Sequence, residues 1–120
     1  MRAVAVVGSW ARGDARMDSD IDVVVLTDDP SPYVIGEEWV AGAVSQNAPV
    51  VRTVQWGDVL IERRVRLRSG LHVEFGFAPV AWATTDPVDP GTAEVVRKGC
   101  LAVFDPELII QHLTEALAPG

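Results

Sequence analysis

Two aspartates, Asp20 and Asp22, sit one residue apart inside the apolar run "DIDVVVL" and are the first residues whose types and spacing can do chemistry. Alternate residues of a strand point to one face, with α-carbons about 6.6 Å apart, so both carboxylates can converge on a common cation. Buried strands normally exclude ionised groups, because desolvating them is costly without compensation. Magnesium suits the pair, since it keeps octahedral oxygen coordination and is commonly held by carboxylates together with phosphate oxygens. A bound cation would also sustain the ionisation of both aspartates.

The phosphate side of that chemistry lies upstream, in "GSWARG". A glycine ending a strand, followed by a hydroxyl and a turn, lets Gly8, Ser9 and nearby backbone N–H groups approach phosphate oxygens, and Arg12 adds a guanidinium suited to them. The stretch lacks the glycine-lysine-serine/threonine ending of a Walker A loop. Arg12 also has surface partners within reach in Asp14 and Asp18. Trp10 reads as filling a hydrophobic gap rather than covering a nucleotide.

The elements that must position these residues are legible as periodicity. "RAVAVV", residues 2–7, and "DIDVVVL", residues 20–26, have strand composition, with a loop or short helix between them. Residues 34–46 place Ile35, Trp39 and Ala43 at helical spacing and predict one amphipathic helix. "PVVRTVQW", "DVLIERRVRL" and "LHVEFGF" predict an antiparallel meander joined by turns at Gly57-Asp58 and Ser69-Gly70. "APVAWATTDPVDPG" is dense in turn residues and predicts a surface segment. Asp89-Pro90 opens a short helix stopped by Gly99, and Asp105-Pro106 opens a last one, to about residue 118, with Ile109, Leu113 and Leu117 facing the core. These readings assign Asp86, Asp89 and Asp105 to turns and caps.

The 120 residues suit one domain, with 48% hydrophobic and 22% charged side chains excluding a disordered chain, and no apolar run long enough to span a membrane. "MRAVAVVG" reads as a first strand rather than a signal peptide, which predicts a cytoplasmic protein. A net charge of −7 argues against a surface that tracks long nucleic acid. The basic run "ERRVRLRS" places Arg64, Arg66 and Arg68 on one strand face, opposite Val65 and Leu67, and reads as solvated. The single cysteine, Cys100, lies in the apolar setting "KGCLAVF" and reads as buried and without function.

Gly8-Ser9, ten residues, then Asp20-Ile21-Asp22-Val23 resembles the signature of the DNA polymerase β-like nucleotidyltransferase superfamily. "GSWARGDARMDSDIDVVVL" is similar to its small bacterial branch of aminoglycoside adenylyltransferases and minimal nucleotidyltransferases. The resemblance implies an α/β (α+β) nucleotidyltransferase fold, with a mixed, mainly antiparallel sheet of about five strands flanked by helices. It implies Mg2+ as cofactor and ATP or another nucleoside triphosphate as donor. Gly8, Ser9, Arg12 and Ser19 would contact the nucleotide. It further implies a third carboxylate on the meander. Glu74 is the candidate, because Leu71, Val73, Phe75 and Phe77 take one strand face and leave His72, Glu74 and Gly76 on the other. Glu62 is its rival.

Asp20, Asp22 and Glu74 would thus be metal ligands and catalytic residues, with Glu74 also a general base for an acceptor hydroxyl. The acceptor would be a small molecule such as an aminoglycoside, or a partner protein such as a HEPN-type toxin in an antitoxin-like pair. A non-catalytic nucleotide-binding domain is the third reading. Relatives generally recognise the acceptor with an added helical domain or a neighbouring subunit, so a homodimer or hetero-complex is expected here. Relatives also commonly carry a helix before the first strand, so that helix is absent or the chain begins late.

Overall fold

A computed structural model describes residues 1–16, 19–56 and 60–118. Its centre is β2, Ile21–Leu26, an apolar strand paired on both sides. β1, Ala3–Val7, runs antiparallel to it, and β5, His72–Ala78, runs parallel to it on the other flank. β4, Leu60–Arg66, pairs antiparallel with β5, and β3, Val50–Trp56, pairs antiparallel with β4. β6, Cys100–Phe104, pairs antiparallel with β1 at the opposite edge. The sheet order is β3-β4-β5-β2-β1-β6, a mixed and mostly antiparallel α+β architecture.

Six strands stand where about five are expected. The sixth is the apolar run after Gly99, too short for its pattern to reveal a strand. It hydrogen-bonds to β1 yet leaves Leu101, Val103 and Phe104 exposed, and Cys100 is half-buried rather than buried. The turn at Ser69-Gly70 forms as predicted, with Gly70 at φ 90 and its amide donating to the Leu67 carbonyl. The Gly57-Asp58 turn lies outside the described residues.

The sheet's two faces build two packed layers. One face sets Ala3, Ala5, Val7, Val24, Leu26 and Ala78 against α4, Pro90–Arg97, and α5, Ile109–Leu117. Asp89 caps α4 by accepting from the Thr92 amide, and Asp105 accepts from the Ile110 and Gln111 amides at the start of α5. α5 begins three residues later than predicted, after Leu108 adopts φ 58, and buries Ile110 beside the predicted Leu113. The turn-rich segment is not wholly superficial. Its 3-10 turn, Val80–Ala83, buries Ala83 and leans Trp82 on this core.

The other face sets Val25, Val65, Val73, Phe75 and Phe77 against Tyr33 and Trp39. Tyr33 stacks on Phe77 at 4.9 Å and Trp39 meets Phe75 edge-on at 5.0 Å, favourable aromatic geometries. The single helix predicted over 34–46 is two short ones, α2, Ser31–Ile35, and α3, Glu38–Val44, broken where Gly36 turns extended. The cause is Arg63, 7% exposed, whose Nη1 donates to the carbonyls of Tyr33 and Gly36 while Nε donates to Thr53 Oγ1. A buried guanidinium takes the helix-end acceptors that a continuing helix would need. Ile35, expected on the core stripe, is consequently 85% exposed. No helix among the described residues is long and apolar enough to cross a membrane.

Leu113 is fully buried between α5 and the sheet. Leu113→Ala is expected to lower stability by about 2–5 kcal/mol in urea unfolding, the cost of lost transfer energy plus a cavity.

Candidate functional site

The site grows from the end of β1. Gly8 holds φ 78 and ψ −149, a conformation that glycine alone adopts without strain, and opens a single helical turn, α1, Ser9–Arg12. A β-carbon on Gly8 would stand 3.0 Å from Asp22 Oδ2, so the missing side chain is what lets the turn and the carboxylate meet. The Gly8 amide donates to the Gly99 carbonyl at 3.1 Å. Gly99 also has positive φ, and a β-carbon there would stand 2.7 Å from the Gly8 carbonyl oxygen. The two glycines lock the α4–β6 junction onto the turn.

The loop back to β2 is braced by its own side chains. Trp10 Nε1 donates to the Ser19 carbonyl at 3.0 Å, so this tryptophan pins the return of the chain. Ser19 Oγ accepts from the Arg16 amide. Arg12 reaches across to the Lys98 carbonyl at 2.7 Å and pairs with Asp14 at 3.0 Å. Its guanidinium therefore spends one donor on fastening the turn to the end of α4 and another within its own loop. Asp18, its other sequence-level partner, lies outside the described residues.

Register brings the carboxylates together. Asp22 pairs across to Val7 on one side and to Glu74 on the other, so residues distant in sequence meet on one sheet face. Gly8, Asp22, Glu62, Glu74, Trp82 and Lys98 line one cleft of about 300 Å³, and Leu60 Cδ1 occupies the space beside Gly76. Glu62, the rival acid, is in the same cleft and accepts from Trp56 Nε1 at 3.1 Å. Asp20, predicted on the strand, precedes β2 and is not among the residues lining this cleft; its Oδ1 is 3.9 Å from His72 Nδ1.

Arg64 is the residue that sequence reasoning placed elsewhere. Assigned to a solvated face, it pairs in register with Glu74 and forms ion pairs with Glu74 and, at 3.7 Å, with Asp20. Its alternation phase was readable, but the β4–β5 register that turns that face toward the acids was not. Lys98 was likewise unmarked, because long-range contacts, Gly8 with Gly99 and Arg12 with the Lys98 carbonyl, bring the end of α4 to the cleft. The described residues contain no ready-made group of three metal-ligating side chains.

Burial raises the pKa of Asp22, the charge of Asp20 raises it further, and Arg64 opposes both. The pair is thus short of positive charge, and its hard oxygen donors fit a divalent cation such as magnesium.

A mixed sheet whose central strand carries Asp22, with Asp20 just before it, beside a glycine turn defines the class of domain. Residues 2–77 match the nucleotidyltransferase domain family, and the chain belongs to it. No curated protein matches the chain.

A raised carboxyl pKa means that the native state holds the Asp22 proton more tightly than the unfolded chain. Stability from this group is complete below the ordinary aspartate pKa and is lost as pH rises through the raised one. Asp22→Asn is therefore expected to melt higher than the parent at pH 7 in EDTA, by about 1 kcal/mol, with the gap closing as the pH falls to the ordinary aspartate range.

Proposed function

We propose that this protein is a Mg2+-dependent nucleotidyltransferase that moves a nucleoside monophosphate, AMP in the first instance, from a triphosphate to an acceptor hydroxyl. The observation that carries this reading is the double register of Asp22, beside the Val7-Gly8 turn and opposite Glu74, at the wall of one cleft. Membership of the nucleotidyltransferase domain family supports the reaction class. The small bacterial branch, the choice of ATP and the acceptor belong to the proposal.

In this reading Asp20, Asp22 and Glu74 hold the metal, and Gly8, Ser9, Arg12 and Ser19 form the turn and loop that receive the phosphates. A magnesium ion held by these acids would supply positive charge to offset that developing around the α-phosphorus and help align attack with departure. Gly8 admits the donor by having no side chain to block approach. Trp10, Arg12 and Gly99 keep the turn rigid, so that orientation is set before substrate arrives. Glu74 takes or organises the proton of the attacking hydroxyl, whose oxygen bonds to the α-phosphorus as pyrophosphate leaves. The cleft presents Asp22, Glu62 and Glu74 against one lysine, Lys98, an acidic setting that favours a cationic acceptor such as an aminoglycoside over an anionic one.

Incubation with Mg2+, an aminoglycoside panel and α- or γ-labelled ATP is expected to transfer label from the α position only. Glu74→Gln should slow transfer by about 10²–10⁴-fold, as loss of a general base does, and Asp20→Asn should abolish it. Transfer from the γ position would sink the reading in favour of a kinase.

A further inference from the structure

Arg64 stands where compensating charge is needed. Its Nη2 contacts Glu74 Oε1 and lies 3.7 Å from Asp20 Oδ2, so one nitrogen serves two of the three acids assigned to the metal. The Glu74 side chain is only 18% exposed and that of Arg64 only 25%. The guanidinium's grip is one-sided. Arg64 Nε is buried and has no hydrogen-bond partner, an arrangement that leaves a desolvated donor unmatched. A guanidinium placed as permanent scaffolding normally engages carboxylates through paired donors. Arg63 next door shows the contrast, with both Nε and Nη1 satisfied.

We propose that Arg64 is an exchangeable counter-ion: it holds Glu74 and Asp20 while the acids are without a divalent cation, and lets go of them when one binds. The inference rests on the metal-binding reading of Asp20, Asp22 and Glu74 given above. A divalent cation drawn to Glu74 and Asp20 would meet the guanidinium's like charge at the same carboxylates, so the two compete for them. Both contacts are made by the single nitrogen Nη2, so release of the two acids breaks contacts at one atom. Arg64 is a positioning residue in this scheme. It occupies Glu74 and Asp20 until a divalent cation arrives, and its departure couples metal entry to freeing of the Glu74 base.

The test is nuclear magnetic resonance of the intact chain, following the Arg64 Nε–Hε signal and the backbone amides of Asp20 and Asp22. Mg2+ is titrated with an ATP analogue whose α–β bridge cannot be cleaved. The Arg64 signal is expected to shift with the same midpoint as the two amides. Arg64→Leu is expected to bind Mn2+ at least about tenfold more tightly, since a competing positive charge has gone, and to melt lower than the parent in EDTA. Amides that respond while the Arg64 signal stays fixed would overturn the exchange and leave the metal site intact, as would weaker Mn2+ binding by the variant. Amides that do not respond at all would remove the metal reading itself, and the exchange with it. Should Arg64→Leu fail to fold, the parent's spectra decide alone.

Discussion

The pairing of β2 on both flanks is the constraint on which the rest of the structure depends. Its antiparallel bond to β1 places Asp22 opposite the residue before the glycine turn, and its parallel bond to β5 places the same aspartate opposite Glu74. Because side chains alternate along strands, a one-residue slip in either pairing would move a carboxylate to the aromatic face. The two apolar layers hold that register. Val23 and Val25 face Phe75 and Phe77, while Val24 and Leu26 face the layer that includes α5, so β2 has a unique seating.

Seating acids in the middle of a sheet sets local charge against packing. Asp22 is partly withdrawn from water next to Asp20, and the chain answers with one guanidinium on the adjoining strand pair rather than with a neutral residue. Proteins commonly retain such unfavourable groups where function requires them, and accept lower stability for it. Arg63, the buried neighbour of Arg64, meets a different need. It closes the end of α2 and ties the helical layer to β4, so neighbouring arginines on one strand serve opposite faces of the sheet.

What was legible in the sequence followed from local period and composition. The β1-turn-β2 unit, the alternation of Val73, Phe75 and Phe77, and the cap of α4 at Asp89 were all written in short windows. What was not legible depended on partners far along the chain. The break at Gly36 comes from carbonyls taken by Arg63, 27 residues away. The role of Arg64 comes from its register with β5, which no residue of β4 encodes. β6 looked like an apolar stretch around a cysteine, because five residues on a sheet edge have no alternation that burial enforces.

The clasp between Gly8 and Gly99 has a consequence for what counts as the working unit. The family match ends at residue 77, yet the amide at the head of the glycine turn is satisfied by a carbonyl at residue 99. Lys98, the neighbour of that carbonyl, both lines the cleft and anchors Arg12. The segment beyond the shared family core is thus a structural cofactor of the turn, supplied in cis. Variation there can reshape the cleft without altering any residue of the signature.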